Sequence, residues 1–193
     1  MYKRQALLQG IFANPLAEPS IIGVSSGGAV FASGLLAIAS LAGVERSYGF
    51  LKWGTALAAF IGALLTTLLV YSLSRVQGKT VVVNLILVGV AINAMAGGFV
   101  TLFSFIGGTM AQSQVVFWQL GSLAGAGWSS AVITLIITVI GIVIACLCAP
   151  KMDLLALGEN QARHLGVNVE RFRLCVIIPV SYTHLTLPTI LLV

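Results

Sequence analysis

Charge is what this chain has least of. Its 193 residues include ten Lys and Arg and five Asp and Glu, 8% in all, where soluble domains carry about 25%. That excludes an ordinary soluble globular domain. Three stretches, Pro19–Val44, Trp53–Ser74 and Thr80–Pro150, lack Asp, Glu, Lys and Arg entirely. They lack histidine as well. Proton pumps and ion-coupled carriers usually keep a titrating group on the pathway, so its absence favours a device driven from outside the membrane.

Residues for catalysis and metal binding are equally short. Of three cysteines, Cys146 and Cys148 stand two apart on a helix, point to different faces and cannot form a metal pair. With Cys175 they read as small buried hydrophobes. His164 and His184 are the only histidines, and no Ser/His/Asp or Cys/His set can be assembled. Gly78-Lys79-Thr80 imitates the end of a phosphate-binding loop, but Leu73 stands where the leading glycine is required. No enzyme activity, cofactor or metal site is expected. The net charge of +5 is not gathered into a basic run or face, so nucleic acid is not an expected partner.

What the chain does have is hydrocarbon, with 59% hydrophobic residues. About 20 apolar residues cross a bilayer as a helix, so Pro19–Val44 and Trp53–Ser74 supply one span each. Thr80–Pro150 must be cut. Its weak points are Gly107–Gln114 and the glycine-rich Gly121–Ser130, which leaves spans near Val81–Ile106 and Trp128–Ala149 with an irregular segment between them. Partial helices are expected at Ala6–Phe12 and from near Leu174. The fold class is all-α, a polytopic transmembrane bundle.

With spans alternating, Arg75, Lys79, Lys151, Arg163, Arg171 and Arg173 fall on one side, and Arg46 and Lys52 on the other. The positive-inside rule makes the first side cytoplasmic. Leu154–Val167 is then a polar cytoplasmic helix, with Asp153 as N-cap, Arg163 and His164 in its last turn and Gly166 at the left-handed C-terminus. It reads as a docking element for a soluble partner; a solvated connecting helix is the plainer alternative.

Small residues let transmembrane helices approach closely. Gly54, Ala58 and Gly62 line one face of one span, and Gly23 and Gly27 begin another. Gly89–Gly98 suits either tight packing or a translocation path, with Asn84, Gly89, Asn93 and Gly97 as candidate lining. Asn84 and Asn93, about 2.5 turns apart, fall on opposite faces, and inter-helix hydrogen bonds would explain them equally well. Asn14, Pro15, Leu16, Ala17, Glu18 and Pro19 form a turn that ends one helix and starts the next at Ser20.

Both ends look foreign to such a bundle. Met1–Gln5 sets Lys3 and Arg4 against a helix interior, and Ser181–Val193 interrupts a starting span with His184 and Pro188. Each string resembles translated sequencing-adapter sequence, and the native membrane region is expected to be 6–180.

Two segments together resemble one family: Asn14–Val30 (NPLAEPSIIGVSSGGAV) and Met152–Arg173 (MDLLALGENQARHLGVNVERFR), with Leu8–Phe12 and Trp118–Trp128 (WQLGSLAGAGW) in supporting positions. They are similar to the FecCD/BtuC-type permeases of ABC importers for iron–siderophore complexes, haem and vitamin B12. The resemblance implies part of a roughly ten-helix permease in the bacterial plasma (inner) membrane. It implies a second permease copy, a cytoplasmic ABC ATPase subunit and an extracytoplasmic substrate-binding protein as partners. Leu157, Gly158, Glu159, Ala162, Leu165 and Gly166 would lie on the helix that couples to the ATPase, with the Asn14–Pro19 turn on the same side. A secondary transporter or channel, and a non-transporting membrane scaffold, are the competing classes. The first calls for intramembrane charge or inverted repeats, and neither is seen; the second leaves the capped cytoplasmic helix unexplained.

Overall fold

The computed structural model describes residues 23–44, 49–77, 79–120 and 128–169, together with Phe172 and Val176. Their elements are α1 (Val24–Leu41), α2 (Gly49–Leu73), β1 (Arg75–Val76), β2 (Lys79–Thr80), α3 (Val82–Ile106), α4 (Gly108–Leu120), α5 (Trp128–Ala156) and α6 (Glu159–His164). Four helices are long and apolar enough to span a membrane: α1, Trp53–Leu73 of α2, α3, and Thr138–Leu155 of α5. The all-α bundle expected from the charge-free stretches is observed. One antiparallel pair of two-residue strands, Arg75 opposite Thr80 and Val76 opposite Lys79, is added at the turn between α2 and α3.

The bundle is organised around the crossing of α1 and α2. A Cβ placed on Gly62 would lie 2.5 Å from the Gly27 carbonyl oxygen, and one on Gly27 would lie 2.6 Å from the Gly62 carbonyl oxygen. Neither position admits a side chain, so the backbones meet directly. Val24, Ala32, Ala59 and Ala63 fill the rest of this core. The glycine stripe is therefore an interface, although on α2 its alanine members are Ala59 and Ala63, with Ala58 only half-buried. Hydroxyls in this apolar setting are satisfied by their own helix: Ser33 donates to the Val30 carbonyl at 3.0 Å and Thr55 to the Leu51 carbonyl at 2.7 Å.

Helix α3 packs on α1, with the Phe103 ring over Gly34. At its far end the Ser40 hydroxyl donates to the Gly107 carbonyl at 2.8 Å, which ties the ends of α1 and α3 together. Trp53 and Trp128, both exposed, begin α2 and α5 at that same end of the alternating bundle, where interfacial tryptophans are favoured.

Four expectations need correction. The segment from Gly107 is not irregular: Gly108 takes a φ of +72° and makes the turn, then α4 runs helical and buries Ala111 and Val115. Helix α1 begins at Val24 rather than Ser20, after Gly23 with a φ of +82°. The last span does not stop at Ala149 but continues through Pro150 to Ala156. Asp153 therefore lies inside α5 and caps nothing, and the expected helix over 154–167 is instead the end of α5, a break and the short α6. The helix ladder continuing out of the span overrides the capping preference of a lone Asp. The expected partial helix at 6–12, the Asn14–Pro19 turn and both terminal strings lie outside the described residues.

Candidate functional site

The break between α5 and α6 is made by Gly158, whose φ of +113° and ψ of 146° are open to glycine alone. Its amide donates to the Leu155 carbonyl at 3.0 Å and its carbonyl accepts from the Ala162 amide at 3.0 Å. The chain therefore turns sharply without losing its hydrogen bonds. Glu159 occupies the first position of α6, and Arg163 and His164 fall in its last turn, where positive charge complements the helix dipole.

The other end is closed by a complete Schellman motif. The Val167 amide donates to the Ala162 carbonyl and the Gly166 amide to the Arg163 carbonyl, each at 3.0 Å. Gly166 takes the left-handed conformation, φ +84°. Among the described residues nothing lies within 4 Å of where a Cβ would stand on either boundary glycine. A six-residue helix is too short to be stable by itself; here its ends are held by backbone geometry and its underside by packing.

That packing is asymmetric. Ala162 is fully buried, at 0% exposure, against Leu155 and Val169, with Val167 beside them. Leu157 and Leu165, which flank the helix, are each 60% exposed. One surface is seated on the protein and the other offers two leucines and two glycines to the surroundings. Of the six residues expected on this element, Leu157 and Gly158 stand exposed before α6 and Leu165 and Gly166 stand exposed after it, while Ala162 is buried as its anchor. The seating residues Leu155, Val167 and Val169 were not foreseen. Their signal was the apolar spacing Val167-x-Val169 just beyond a polar helix.

At the same end of the bundle a second cluster joins four parts of the chain. Val70 and Tyr71 from α2, Leu85 from α3, and Phe172 and Val176 are buried together, with Val82, Val88, Ile92, Cys148, Met152 and Val167 packed around them. The Arg75 guanidinium stands 5.7 Å from the centre of the Tyr71 ring, within cation–π range. The basic residues Arg75, Lys79, Lys151 and Arg163 thus share one end of the molecule, as the loop assignment required.

Of the candidate path residues, Gly89, Asn93 and Gly97 follow one another at i, i+4 and i+8 along one stripe of α3, and Asn84 lies off it. Gly89 is buried on the packed face of α3 with Leu85 and Ala96. Asn84 and Asn93 are half-buried on either flank of that face, and Gly97 is exposed. Among the described residues no group of three or more His, Cys, Asp or Glu is placed to hold a metal ion.

The family model described as the FecCD transport family matches residues 5–186. The sequence is 36% identical over 166 residues to the cobalamin import system permease protein BtuC of Halobacterium salinarum, covering 86% of this chain and 42% of that protein. It is 33% identical to the hemin transport system permease protein HmuU of Yersinia pestis, over 87% of this chain and 49% of that one. It is 35% identical to the vitamin B12 import system permease protein BtuC of Vibrio vulnificus, over 91% and 50%. The chain thus spans about half the length of the curated relatives it matches. A solved chain described as a metal-chelate type ABC transporter in an inward-facing conformation superposes with a TM-score of 0.77. It shares 26% identity, over 97% of this chain and 57% of that one.

Proposed function

The chain belongs to the FecCD transport family, and we propose that it is the membrane-spanning permease subunit of an ATP-driven importer for an iron–siderophore or related metal chelate. Its place is the bacterial plasma (inner) membrane. Its partners are a cytoplasmic ABC ATPase subunit that docks on α6, a second permease copy, and an extracytoplasmic protein that delivers the cargo. The similarity to permeases named for cobalamin and hemin, and to a metal-chelate type transporter, supports this cargo class.

The observation that carries the mechanism is the two-sidedness of α6. Its underside is locked to α5 through Ala162 and Leu155, while Leu157 and Leu165 stand outward at 60% exposure. Fully burying a leucine is worth about 1.5–3 kcal/mol, enough for the two to anchor a partner. A helix fixed at both termini by Gly158 and the Gly166 turn passes on a displacement instead of unravelling. ATP-driven closure of the ATPase pair pushes α6, and the bundle rocks between its two access states.

The test uses the full-length permease assembled with its ATPase. Gly158→Pro replaces a φ of +113° by one fixed near −65°, and Glu159→Lys reverses the charge on the first turn of α6. Both are expected to uncouple ATP hydrolysis from uptake while leaving membrane insertion intact. Normal uptake by either variant would overturn the coupling role of this segment.

A further inference from the structure

The two buried clusters at the cytoplasmic end share one residue. Val167 packs against the Leu155–Ala162–Val169 group that seats α6, and also against the group built from Val70, Tyr71, Leu85, Phe172 and Val176. The platform of α6 is therefore continuous, through Val167 and Phe172, with the tip where α2 ends and α3 begins. That tip is stiff. The β1–β2 pair closes it, the Val81 amide donates to the Ser74 carbonyl at 3.2 Å, and Arg75 covers the buried Tyr71 ring.

The attachment to α5 has a different character. Helix α5 reaches the shared cluster only in its last turns, through Cys148 and Met152. Pro150 sits between these two contacts, inside the helix. Proline has no amide hydrogen, so the Cys146 carbonyl loses the donor that the ladder would supply, and the ring crowds that turn. The Cys146–Pro150 turn is the soft point of α5.

We propose that the push on α6 enters the bundle through the Val167–Phe172–Tyr71 contact into the α2–α3 tip, and that the Cys146–Pro150 turn is the hinge that frees this unit from the rest of α5. Close-packed side chains transmit displacement because they cannot compress, and a hinge concentrates the change at a few positions. Tyr71, Val167 and Phe172 are positioning residues: they touch neither cargo nor nucleotide but decide which helices follow α6. The proposal rests on the reading that α6 is the element an ATPase moves.

The experiment places spin-label pairs in the full-length permease–ATPase complex in lipid and compares nucleotide-free and ATP-bound states. The positions, Val76 on the hairpin, Gln161 on α6 and Ile140 on α5, are all exposed. The expected result is a constant Val76–Gln161 distance together with a changed Gln161–Ile140 distance. A changed Val76–Gln161 distance, whatever the other pair does, would overturn the route while leaving ATPase docking intact. No change in either pair would overturn both the route and the reading of α6 as the moving element. A functional arm compares Phe172→Ala with Phe172→Leu, which keeps most of the bulk. Uptake per ATP hydrolysed is expected to fall about tenfold in the alanine variant and to return in the leucine variant. Equal loss in both, or no loss in either, would contradict the contact as the transmission point.

Discussion

The Val167 amide and the Ala162 carbonyl, 3.0 Å apart, close α6 with the same two residues that seat it. Ala162 is fully buried, and Val167 is the side chain shared by both clusters at this end of the bundle. Helix geometry and tertiary packing at this end therefore stand or fall together.

Gly166→Val is expected to damage that closure. A β-branched residue at a φ of +84° is strained by about 1–3 kcal/mol. Because no described residue lies within 4 Å of its Cβ position, the loss is conformational and not steric. The full-length variant should insert normally, bind its ATPase more weakly and show faster protease cleavage near residue 166. Gly166→Asn, which tolerates the left-handed region, should retain most function.

Ala162→Leu tests the seat itself. Ala162 is fully buried against Leu155 and Val169, and overpacking typically costs about 1–3 kcal/mol. ATPase-dependent uptake should drop while Gln161→Ala, on the exposed side of the same helix, stays near wild type. Equal uptake for the two would mean that α6 is not fixed by its underside.

The α1–α2 crossing predicts a sharp contrast between glycines. Gly62→Val would push a side chain onto the Gly27 carbonyl and Phe31, forcing the helices apart. Thermal unfolding in detergent should shift down by several degrees, as a loss of about 3 kcal/mol would require. Gly97→Ala meets nothing within 4 Å and should leave the transition unchanged, unless an element outside the described residues packs there.

Leu157→Asp and Leu165→Asp remove apolar surface that the described residues leave exposed. Membrane insertion and thermal stability should be unaffected. Affinity for the ATPase subunit should fall about tenfold or more for each, since 1.4 kcal/mol is a factor of ten and a buried leucine is worth at least that. Co-purification of the complex measures it.

Much of this was legible in the sequence because membrane helices obey few rules. The charge-free stretches mark the four spans, and Arg75, Lys79, Lys151 and Arg163 gather at one end of them, as the alternation of spans required. Gly27 and Gly62 were readable as interface residues because only small residues permit backbone contact in lipid. What sequence reasoning missed was decided by tertiary contact. Gly107–Gln114 is polar and glycine-rich, so it read as irregular, yet Gly108 only turns the chain and Ala111 and Val115 then find burial. The hairpin depends on Gln77 adopting a φ of +50°, which nothing local demands. Asp153 was a good cap on paper, but the helix emerging from the membrane had no reason to stop before Gly158. On α6, Ala162 and Leu165 carry the same motif and opposite roles, one buried and one exposed, and only packing separates them.

The most direct test is site-specific photocrosslinking from position 165 of the full-length permease, co-expressed with its ABC ATPase subunit. A crosslinker at Leu165 is expected to trap the ATPase subunit in high yield, and one at Trp128, at the opposite end of the bundle, to trap none. Failure to capture the ATPase from position 165, with capture from position 128, would contradict both the orientation of the chain and the role of α6.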